Sequence, residues 1–310
     1  MDPGAEAWIL AKKRDALRLR ARMIQALRQF FHERNYLEVE TPVRIPTPAP
    51  EEHIDAPLSG DWFLQTSPEL CMKRLVAAGY SRLFQISKCF REAERGELHL
   101  PEFTLLEWYR QGSDYRDLMA ECEDLILHVA GALEKSEALL FRGRRISLRK
   151  PWTRISVQDA FTRHATLSLP EALQTGRFDE IMACEIEPRL GVDRPVFLYD
   201  YPVALGALAR AKEGDAALAE RFELYLGGLE LANAFSELTD EAEQRRRFEK
   251  ARQFRRAAGK RDYPSPEPFL RALPAMPDSA GIALGVDRLA MLLTDAAAID
   301  EVVAFTPEML

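Results

Sequence analysis

The spacing of apolar positions in the N-terminal part of the chain predicts a helix, a strand and a loop. Residues 9 to 31 carry apolar side chains at helical spacing among many arginines, which is typical of a surface helix with one buried stripe. Residues 36 to 42 alternate in the manner of a strand that ends at a proline. The proline-rich stretch from 45 to 50 cannot continue a strand ladder, so we expect a loop there.

The next segment predicts a strand, a helix and a hairpin. Residues 62 to 66 have strand character. Ser67-Pro68-Glu69 then supplies an N-cap, a proline at the first helical position and an acidic first turn, which predicts a helix from 68 to about 78. Apolar runs at 83–86 and 103–109 flank a polar loop, as the two strands of a hairpin would.

The remainder of the chain continues with hairpins and helices. Residues 135 to 190 are mixed in character, contain no chemical motif, and could form an insertion. Elsewhere the pattern predicts a helix at 114–133, a strand at 195–202, a hairpin of 222–225 with 229–233 around Gly227-Gly228, and helices at 240–258 and 286–294. Hairpin-linked strands with helices between them favour an antiparallel sheet in an α+β fold over a doubly wound parallel sheet.

Composition indicates a globular enzyme rather than a membrane or secreted protein. The 310 residues are 47% apolar and 29% charged, and no apolar run approaches the roughly 20 residues that cross a bilayer. The N-terminus has no signal-peptide pattern, so we expect a cytoplasmic protein without a membrane partner. The four cysteines lack metal-ligand spacing, and we interpret them as small buried residues rather than disulfides or zinc ligands.

Charge argues against a non-specific nucleic-acid binder. The formal net charge is −7, whereas such binding depends on many Lys and Arg contacts to phosphates. A local basic run from Arg245 to Arg261 contains Phe248 and Phe254, which could form the buried side of a helix. We interpret this run as a solvated helix face, with docking of an acidic partner as the alternative.

Two distant segments each place an arginine where a triphosphate could be bound. Arg91 follows the first strand of the predicted hairpin, and Arg288 follows the glycine-flanked stretch Gly281–Gly285 at the start of a predicted helix. Activation of a carboxylate by ATP builds negative charge on the α-phosphate and on departing pyrophosphate, so fixed cations are needed at both places. Guanidinium groups suit this task because they bind phosphate in a bidentate manner. Either arginine alone would be explained more simply by a surface salt bridge.

Several glutamates lie among apolar neighbours, where a buried carboxylate needs a cationic partner. Glu223 and Glu230 flank the predicted glycine turn, so a hairpin would bring both to one end of the sheet, where carboxylate oxygens suit Mg²⁺. Either of them alone is explained more simply as a solvated strand residue. Glu69, Glu107 and Glu237 could receive the ammonium groups of a cationic substrate. Their convergence in space is a prediction.

Three segments, in order, resemble the motifs of class II aminoacyl-tRNA synthetases. Tyr36–Pro42 resembles motif 1, Phe90–Tyr109 motif 2 and Gly281–Leu293 motif 3. The amino-acid sequence of these motifs is similar to that of lysyl-tRNA synthetase catalytic domains. It is more similar still to the stand-alone branch that attaches (R)-β-lysine to elongation factor P. The resemblance spans nearly the whole chain, and its marks are Thr66–Glu69, His99–Tyr109, Arg221–Glu223 and Glu230–Asp240.

The resemblance implies an α+β catalytic fold that binds ATP. Arg91 would hold the α-phosphate and the substrate carboxylate, Phe103 would stack on adenine, and Arg288 would cover the other face of the ring and reach the γ-phosphate. Glu94 would take the role of the adenine-reading glutamate through a shifted loop, because the usual Arg-Asn-Glu is replaced here. The implied nucleotide site also includes Glu230, Leu231 and Gly285.

The resemblance also implies a metal site and an amino-acid pocket. Glu223 and Glu230 would bind Mg²⁺. The carboxylates of the pocket would meet the two ammonium groups of a lysine-like substrate. The implied pocket residues are Ser67, Glu69, Glu107, Tyr109, Asn233, Glu237 and Ala283.

Two features favour the stand-alone branch over a tRNA synthetase. Lysyl-tRNA synthetases carry an N-terminal anticodon-binding barrel, whereas the helix leading into motif 1 is predicted to begin near the N-terminus, so we expect residues 1–310 to form a single catalytic domain. At the position of Ala283, the resemblance implies a glycine in lysyl-tRNA synthetases and an alanine in the stand-alone branch. One additional methyl group in a pocket biases substrate selectivity modestly.

The expected activity is formation of a lysyl- or (R)-β-lysyl-adenylate and transfer to a lysine of elongation factor P. The resemblance disfavours tRNA as the acceptor and implies a homodimer formed through motif 1. One alternative is a truncated synthetase that acts on tRNA or on a free acceptor. Another is a catalytically silent regulatory paralogue, although such a protein has no reason to retain Arg91, Glu230 and Arg288.

Overall fold

A mainly antiparallel sheet lies at the centre of the computed structural model, which describes residues 3–135 and 137–310. Its strands and those of two smaller sheets are β1 (Leu37–Glu38), β2 (Arg44–Ile45), β3 (Leu58–Ser59), β4 (Trp62–Leu64), β5 (Arg82–Phe90), β6 (Glu102–Gln111), β7 (Ala138–Phe141), β8 (Arg144–Ser147), β9 (Thr153–Ser156), β10 (Val196–Pro202), β11 (Ala211–Lys212), β12 (Asp215–Leu226), β13 (Leu229–Ser236) and β14 (Ser279–Gly285). The α-helices are α1 (Pro3–Lys12), α2 (Arg14–Glu33), α3 (Glu69–Ala77), α4 (Tyr115–Ala132), α5 (Val157–His164), α6 (Leu169–Gln174), α7 (Phe178–Ile181), α8 (Glu241–Ala257), α9 (Glu267–Leu270) and α10 (Val286–Thr294).

The topology of the central sheet confirms the predicted fold class. The strand order is β1-β5-β6-β14-β13-β12-β10-β9, with β11 paired to β12. Neighbours are antiparallel except at the two ends, where β1 pairs with β5 and β9 with β10 in parallel. The β12–β13 hairpin turns at Gly227 and Gly228, whose φ angles of 64° and 77° lie in the region that a two-residue hairpin turn requires.

Side-chain alternation along the strands gives the sheet one apolar face and one polar face. Leu106 and Trp108 of β6 are fully buried in the main core, against α2, α4 and α10. Phe31 of α2 stacks on Phe84 of β5 with ring centroids 4.6 Å apart. Because successive side chains point to opposite faces, the intervening Glu107 and Tyr109 face the other way, where the site lies.

The N-terminal elements differ from the prediction in their bounds. The helix predicted from 9 to 31 is two helices, α1 and α2, which meet at Lys13. The ammonium of Lys13 donates to the carbonyl oxygens of Val303 and Ala304 at 3.1 and 3.4 Å, contacts with the far end of the chain that local spacing does not reveal. The strand predicted from 36 to 42 is reduced to β1, because beyond Glu38 the chain makes only isolated hydrogen bonds such as that from Val39 N to Phe84 O.

The other predicted elements lie close to their expected positions. Helix α3 begins at Glu69, and Ser67 Oγ still accepts a hydrogen bond from the Glu69 amide at 3.0 Å, as an N-cap would. The predicted hairpins and the helices α4, α8 and α10 are confirmed within a few residues. The loop predicted at 45–50 is confirmed except for Ile45, which belongs to β2.

The segment from 135 to 190 adds structure at one edge of the sheet. It supplies the β7–β8 hairpin, the edge strand β9 and the helices α5 to α7. These helices bury Phe161 and Ile181 in a second apolar cluster with Leu198 of β10 and Tyr225 of β12. The interpretation of this segment as an insertion stays a prediction.

The basic run is a helix, as predicted, but only one of the two phenylalanines expected on its buried side is buried. Phe248 of α8 is buried, whereas Phe254 is 39% exposed. Arg255 is fully buried and donates to Glu51 O, Ile54 O, Arg261 O and the carboxylate of Asp55, so it holds the 51–55 loop. A buried guanidinium needs several acceptors, and this loop provides them.

The prediction that all four cysteines are buried is only partly confirmed. Cys89 and Cys122 are buried as expected, whereas Cys71 is half-buried and Cys184 is exposed because the turn after α7 leaves it at the surface. All four are free thiols in the structure. Within the described ranges, every helix is too short or too polar to cross a membrane.

Candidate active site

A cavity of about 360 Å³ lies on the polar face of the central sheet. Strands β6, β13 and β14 form its floor, and the starts of α3 and α10 and the loop before β6 form its walls. All predicted site residues except Glu223 and Glu237 line it, namely Ser67, Glu69, Arg91, Glu94, Phe103, Glu107, Tyr109, Glu230, Leu231, Asn233, Ala283, Gly285 and Arg288. The two predicted arginines and most of the predicted carboxylates are therefore brought together.

Strand register positions the centre of the amino-acid end. Ala283 of β14 is paired with Glu107 of β6 on one side and with Asn233 of β13 on the other. These three residues therefore lie side by side across the floor. The methyl group of Ala283 sits between a carboxylate and an amide, where it can influence how a substrate amine is placed.

Glu107 is a buried carboxylate that faces the cavity. It accepts hydrogen bonds from Ser67 Oγ at 2.7 Å and from the Tyr109 hydroxyl at 3.0 Å. Burial, aided by the negative charge of Glu69, raises the pKa of Glu107 to about 8, and the two hydrogen bonds oppose this rise. A cation bound here would lower that pKa and be held strongly.

Glu69 and Glu237 share an internal cation, Lys73, which the sequence interpretation missed. The Lys73 ammonium lies 2.5 Å from Glu69 Oε1 and 2.5 Å from Glu237 Oε2. Both carboxylates were expected to meet ammonium groups of a substrate, and here a lysine of the chain itself meets them. The available signal was the spacing of Glu69 and Lys73 by four residues on a predicted helix, which is more often a surface pair.

Glu237 and Lys73 lie just behind the cavity wall. The wall at this point includes Gly281 of β14, where a Cβ atom would fall 2.4 Å from Glu237 Oε1 and 2.3 Å from Tyr109 Cε1. Glycine is required here because the Glu237 carboxylate and the Tyr109 ring approach the backbone so closely. Glu237 is thus fixed in place against β14.

The two arginines occupy the other end of the cavity. The Arg91 guanidinium lies over the Phe103 ring, 5.0 Å from its centroid, and 3.5 Å from Glu94. Arg288 Nη1 donates to the Glu230 carbonyl oxygen at 2.6 Å and lies 3.4 Å from Glu230 Oε2. Both arginines line the cavity, so their guanidinium groups can reach a ligand there.

His99 and Asp287 help to place Arg288. His99 Nε2 lies 2.7 Å from Arg288 Nη2. Burial and the charge of Arg288 lower the pKa of His99, so its ring is neutral and accepts this hydrogen bond. Asp287 accepts from the Thr104 amide at 2.7 Å and pairs with Arg20 at 2.6 Å, which ties the start of α10 to β6.

The predicted metal ligands differ from each other in their surroundings. Glu223 accepts hydrogen bonds from the hydroxyls of Tyr201 and Tyr225, at 2.6 and 2.7 Å, and from Arg221 Nη2 at 2.6 Å. Glu230 faces the cavity, and burial together with the charge of Glu223 raises its pKa. In the part of the chain that the structure describes, no group of three or more His, Cys, Asp or Glu residues forms a ready metal centre.

Arg221, Glu187 and Glu51 were not assigned roles from the sequence. Arg221 Nε donates to the Asn233 side chain at 3.2 Å and fixes its amide orientation. Burial and the charges of Glu223 and Glu230 raise the pKa of Glu187 to about 7. Burial likewise raises the pKa of Glu51 to about 7, against the opposing charge of Arg91. No local motif marks either glutamate, because Glu51 lies in a loop and Glu187 in a short 3₁₀ turn.

Comparison with known proteins places this site within one family. The family model described as tRNA synthetases class II (D, K and N) matches residues 8–309, so the chain belongs to that family. This confirms the class II synthetase resemblance and an ATP-dependent ligase.

Individual relatives are more specific. The chain is 39% identical over 305 residues to the elongation factor P–(R)-β-lysine ligase of Hamiltonella defensa subsp. Acyrthosiphon pisum, covering 93% of this chain and 94% of the relative. It is also 39% identical to the ligase of the same name from Edwardsiella ictaluri, covering 93% of each. It is 36% identical to the lysine–tRNA ligase of Magnetococcus marinus, covering 96% of this chain and 64% of that relative.

Proposed function

We propose that this chain activates (R)-β-lysine or lysine with ATP and transfers the aminoacyl group to a lysine side chain of elongation factor P. The observation that supports this most directly is a single cavity with buried carboxylates at one end and two arginines at the other. The similarity to relatives named elongation factor P–(R)-β-lysine ligase, over nearly their whole length, supports the acceptor.

The amino-acid end suits a substrate with two ammonium groups. Glu107 and Glu69 face the cavity and Glu237 lies directly behind it. A charge-assisted hydrogen bond contributes about 1.5–3 kcal/mol, so these carboxylates would discriminate strongly against amino acids with neutral side chains. Asn233 and Ser67 would orient the substrate between them.

The nucleotide end suits formation of an adenylate. A carboxylate oxygen of the substrate attacks the α-phosphorus of ATP, and the bond from that phosphorus to the β-phosphate bridging oxygen breaks to release pyrophosphate. Arg91 would bind the α-phosphate and the substrate carboxylate, and Arg288 would bind the departing phosphates. Phe103, Glu94, Leu231 and Gly285 would hold the adenosine.

In the transfer step, the acceptor amine attacks the carbonyl carbon of the adenylate. The new amide bond forms as the bond to AMP breaks, and the amine nitrogen loses its proton. His99 is committed to Arg288, so we assign it no role as a base. Positioning of the amine by the site carries this step.

A divalent cation would be held at the phosphate end. Glu230 fits this role because it faces the cavity beside Arg288, and burial followed by the nearby charge of Glu223 raises its pKa, a rise that a bound cation would oppose. Glu223 would join it if Mg²⁺ displaced one of the hydrogen bonds that its carboxylate accepts. When bound, the cation would neutralise phosphate charge.

We also propose that the chain acts as a homodimer in the cytoplasm. In the segment resembling motif 1, Leu37 of the edge strand β1 is 48% exposed, and Val43, which follows the segment, is 38% exposed. Exposed apolar side chains at a sheet edge are typical of an interface. A mass of one chain in light scattering would rule out the dimer. The cytoplasmic location follows from the proposed substrates, because a translation factor and ATP are both found in the cytoplasm.

ATP–pyrophosphate exchange tests the proposal. Purified protein is assayed with (R)-β-lysine, L-lysine and the other amino acids, and then with elongation factor P and with tRNA as acceptors. Exchange driven by lysine-type substrates, with label reaching elongation factor P and not tRNA, is the expected result. Label on tRNA would favour the lysine–tRNA ligase alternative, which similarity to the Magnetococcus marinus relative keeps open. Absence of exchange with every amino acid would favour a silent paralogue.

A further inference from the structure

Lys73 is a buried cation at the amino-acid end that the proposed reaction does not use directly. Its side chain is 1% exposed and projects from α3, between the core residues Met72 and Val76. The ammonium bridges Glu69 and Glu237 and lies 4.8 Å from the centroid of the Phe235 ring. A lysine is rarely buried this completely without a specific pairing.

We propose that Lys73 is a fixed counter-ion that sets the net charge of the amino-acid pocket to match a substrate with two ammonium groups. It is therefore a positioning and specificity-determining residue. This inference rests on the proposed function, since it assumes that the cavity binds lysine or (R)-β-lysine.

Charge balance carries the inference. With substrate bound and all three carboxylates ionised, Glu69, Glu107 and Glu237 bring three negative charges to one end of the cavity, and Lys73 returns one positive charge. The remaining double negative charge equals the charge of two substrate ammonium groups, while Arg91 is available to the substrate carboxylate. Without Lys73 the same site would carry one buried negative charge too many, which the interior tolerates poorly.

The position of Lys73 indicates a permanent partner rather than an occupant of the substrate subsite. Glu69, Tyr109, Phe235 and Gly281 line the cavity, whereas Lys73 does not. Lys73 reaches the two carboxylates from the core side of the wall. A substrate ammonium can therefore approach Glu69 from the cavity while Lys73 stays in place.

The charged and titratable groups facing Lys73 explain the expected pH dependence. They are Glu69 on its own helix, Glu237 immediately after β13, and Glu107 and Tyr109 on β6. Burial disfavours the ammonium, but Glu237 and Glu69 outweigh it and hold the pKa of Lys73 above its ordinary value. In return, Lys73 opposes the rise that burial causes in the pKa of Glu237.

Removal of Lys73 should let burial raise the pKa of Glu237 further, so that this carboxyl keeps its proton up to higher pH. A substrate ammonium must then displace that proton before it can pair with the carboxylate. Affinity for the substrate would rise with pH, and the midpoint of that rise would lie at higher pH than in the wild type.

The test compares Lys73→Met with Lys73→Arg and with Lys88→Met. Lys88 is an exposed lysine paired with Glu102 on the same domain surface and serves as the matched control for loss of a lysine. Affinity for lysine and (R)-β-lysine is measured by calorimetry over a pH range wide enough to include both midpoints, from pH 6 to about 9.5, and KM for ATP is measured by exchange. We expect K73M to shift the midpoint upward by about one unit, which weakens binding about tenfold at pH 7. KM for ATP should stay constant, and K73R and K88M should keep the wild-type midpoint.

The outcomes separate this inference from the proposed function. If the wild type binds neither lysine nor (R)-β-lysine, both fail. If the wild type binds and K73M shows the wild-type midpoint, or binds more tightly at pH 7, only the role of Lys73 is overturned. Should K73M not fold, the double variant K73M/E237Q removes the pair together and keeps two carboxylates. Its midpoint should match the wild type, and a shifted midpoint would refute the charge balance.

Discussion

The two ends of the cavity differ in how deeply their charged side chains are buried and in how close their charged partners lie. At the amino-acid end, the carboxylates are buried, and each has a close internal partner, with Ser67 2.7 Å from Glu107 and Lys73 2.5 Å from Glu237. At the phosphate end, the arginine side chains are more exposed, at 29% for Arg91 and 21% for Arg288, and their carboxylate neighbours lie 3.5 and 3.4 Å away. The close partners of Arg288 are uncharged, namely the Glu230 carbonyl oxygen and His99.

This difference follows from what each end must distinguish. Recognition of a diamino acid depends on the placement of two charges, so it benefits from carboxylates held rigidly by strand pairing and buried hydrogen bonds. Stabilising a triphosphate during bond cleavage depends on guanidinium donors that are already in position and remain available to the phosphates, and neither arginine is neutralised by a close carboxylate in the free protein. Substitutions at the phosphate end should therefore affect turnover, and those at the amino-acid end should affect substrate affinity.

The largest expected effect is at the phosphate end. Arg91→Ala should lower the rate of ATP–pyrophosphate exchange by at least about a hundredfold, because it removes a cation from the developing charge at the α-phosphate. Thermal unfolding should be unchanged, since the 3.5 Å contact with Glu94 is weak. Arg177→Ala, which removes an exposed arginine paired with Glu180, is the control. Near-normal exchange in R91A would remove Arg91 from its assigned role.

The next effect should appear at the amino-acid end. Glu107→Gln keeps the size of the side chain but removes its charge, so KM for lysine or (R)-β-lysine should rise about tenfold to a hundredfold. KM for ATP should change little, because the nucleotide is bound elsewhere in the cavity. An equal rise in both KM values would contradict the separation of the two ends.

Only part of this contrast could be predicted from the sequence. The β5–β6 and β12–β13 hairpins are local, so alternation and the Gly227-Gly228 turn were sufficient to identify them. The adjacency of β6, β14 and β13, which assembles the floor, joins distant segments, and only the family resemblance indicated it. Lys73 was missed because its burial depends on Glu237, which follows β13 and is far from Lys73 in the sequence, so helical spacing cannot reveal the pair.

A smaller effect should come from Ala283, which lies between Glu107 and Asn233. Ala283→Gly removes one methyl group and should shift the ratio of kcat/KM between (R)-β-lysine and L-lysine about tenfold towards L-lysine, since a methyl group in a pocket contributes about 1–3 kcal/mol to selectivity. Exchange assays with both substrates measure this ratio. The same change at Ala272, outside the cavity, is the control. An unchanged ratio would mean that the methyl group does not select the substrate.

The smallest effect is a pH dependence that should separate the free protein from its complex. The pKa of Glu107 is raised to about 8, above its value in an unfolded chain, so its contribution to stability is present at low pH and is lost as pH rises through about 8. A bound ammonium needs the ionised carboxylate, so affinity for lysine should rise roughly fivefold between pH 7 and pH 8.

Melting curves should therefore show the free protein losing stability over this range while the increase in Tm caused by lysine grows. Glu107→Gln should abolish most of that growth, and ATP, which binds at the other end, should stabilise the protein to a similar extent at both pH values. A lysine-induced increase in Tm that is constant with pH would show that Glu107 is already ionised in the free protein.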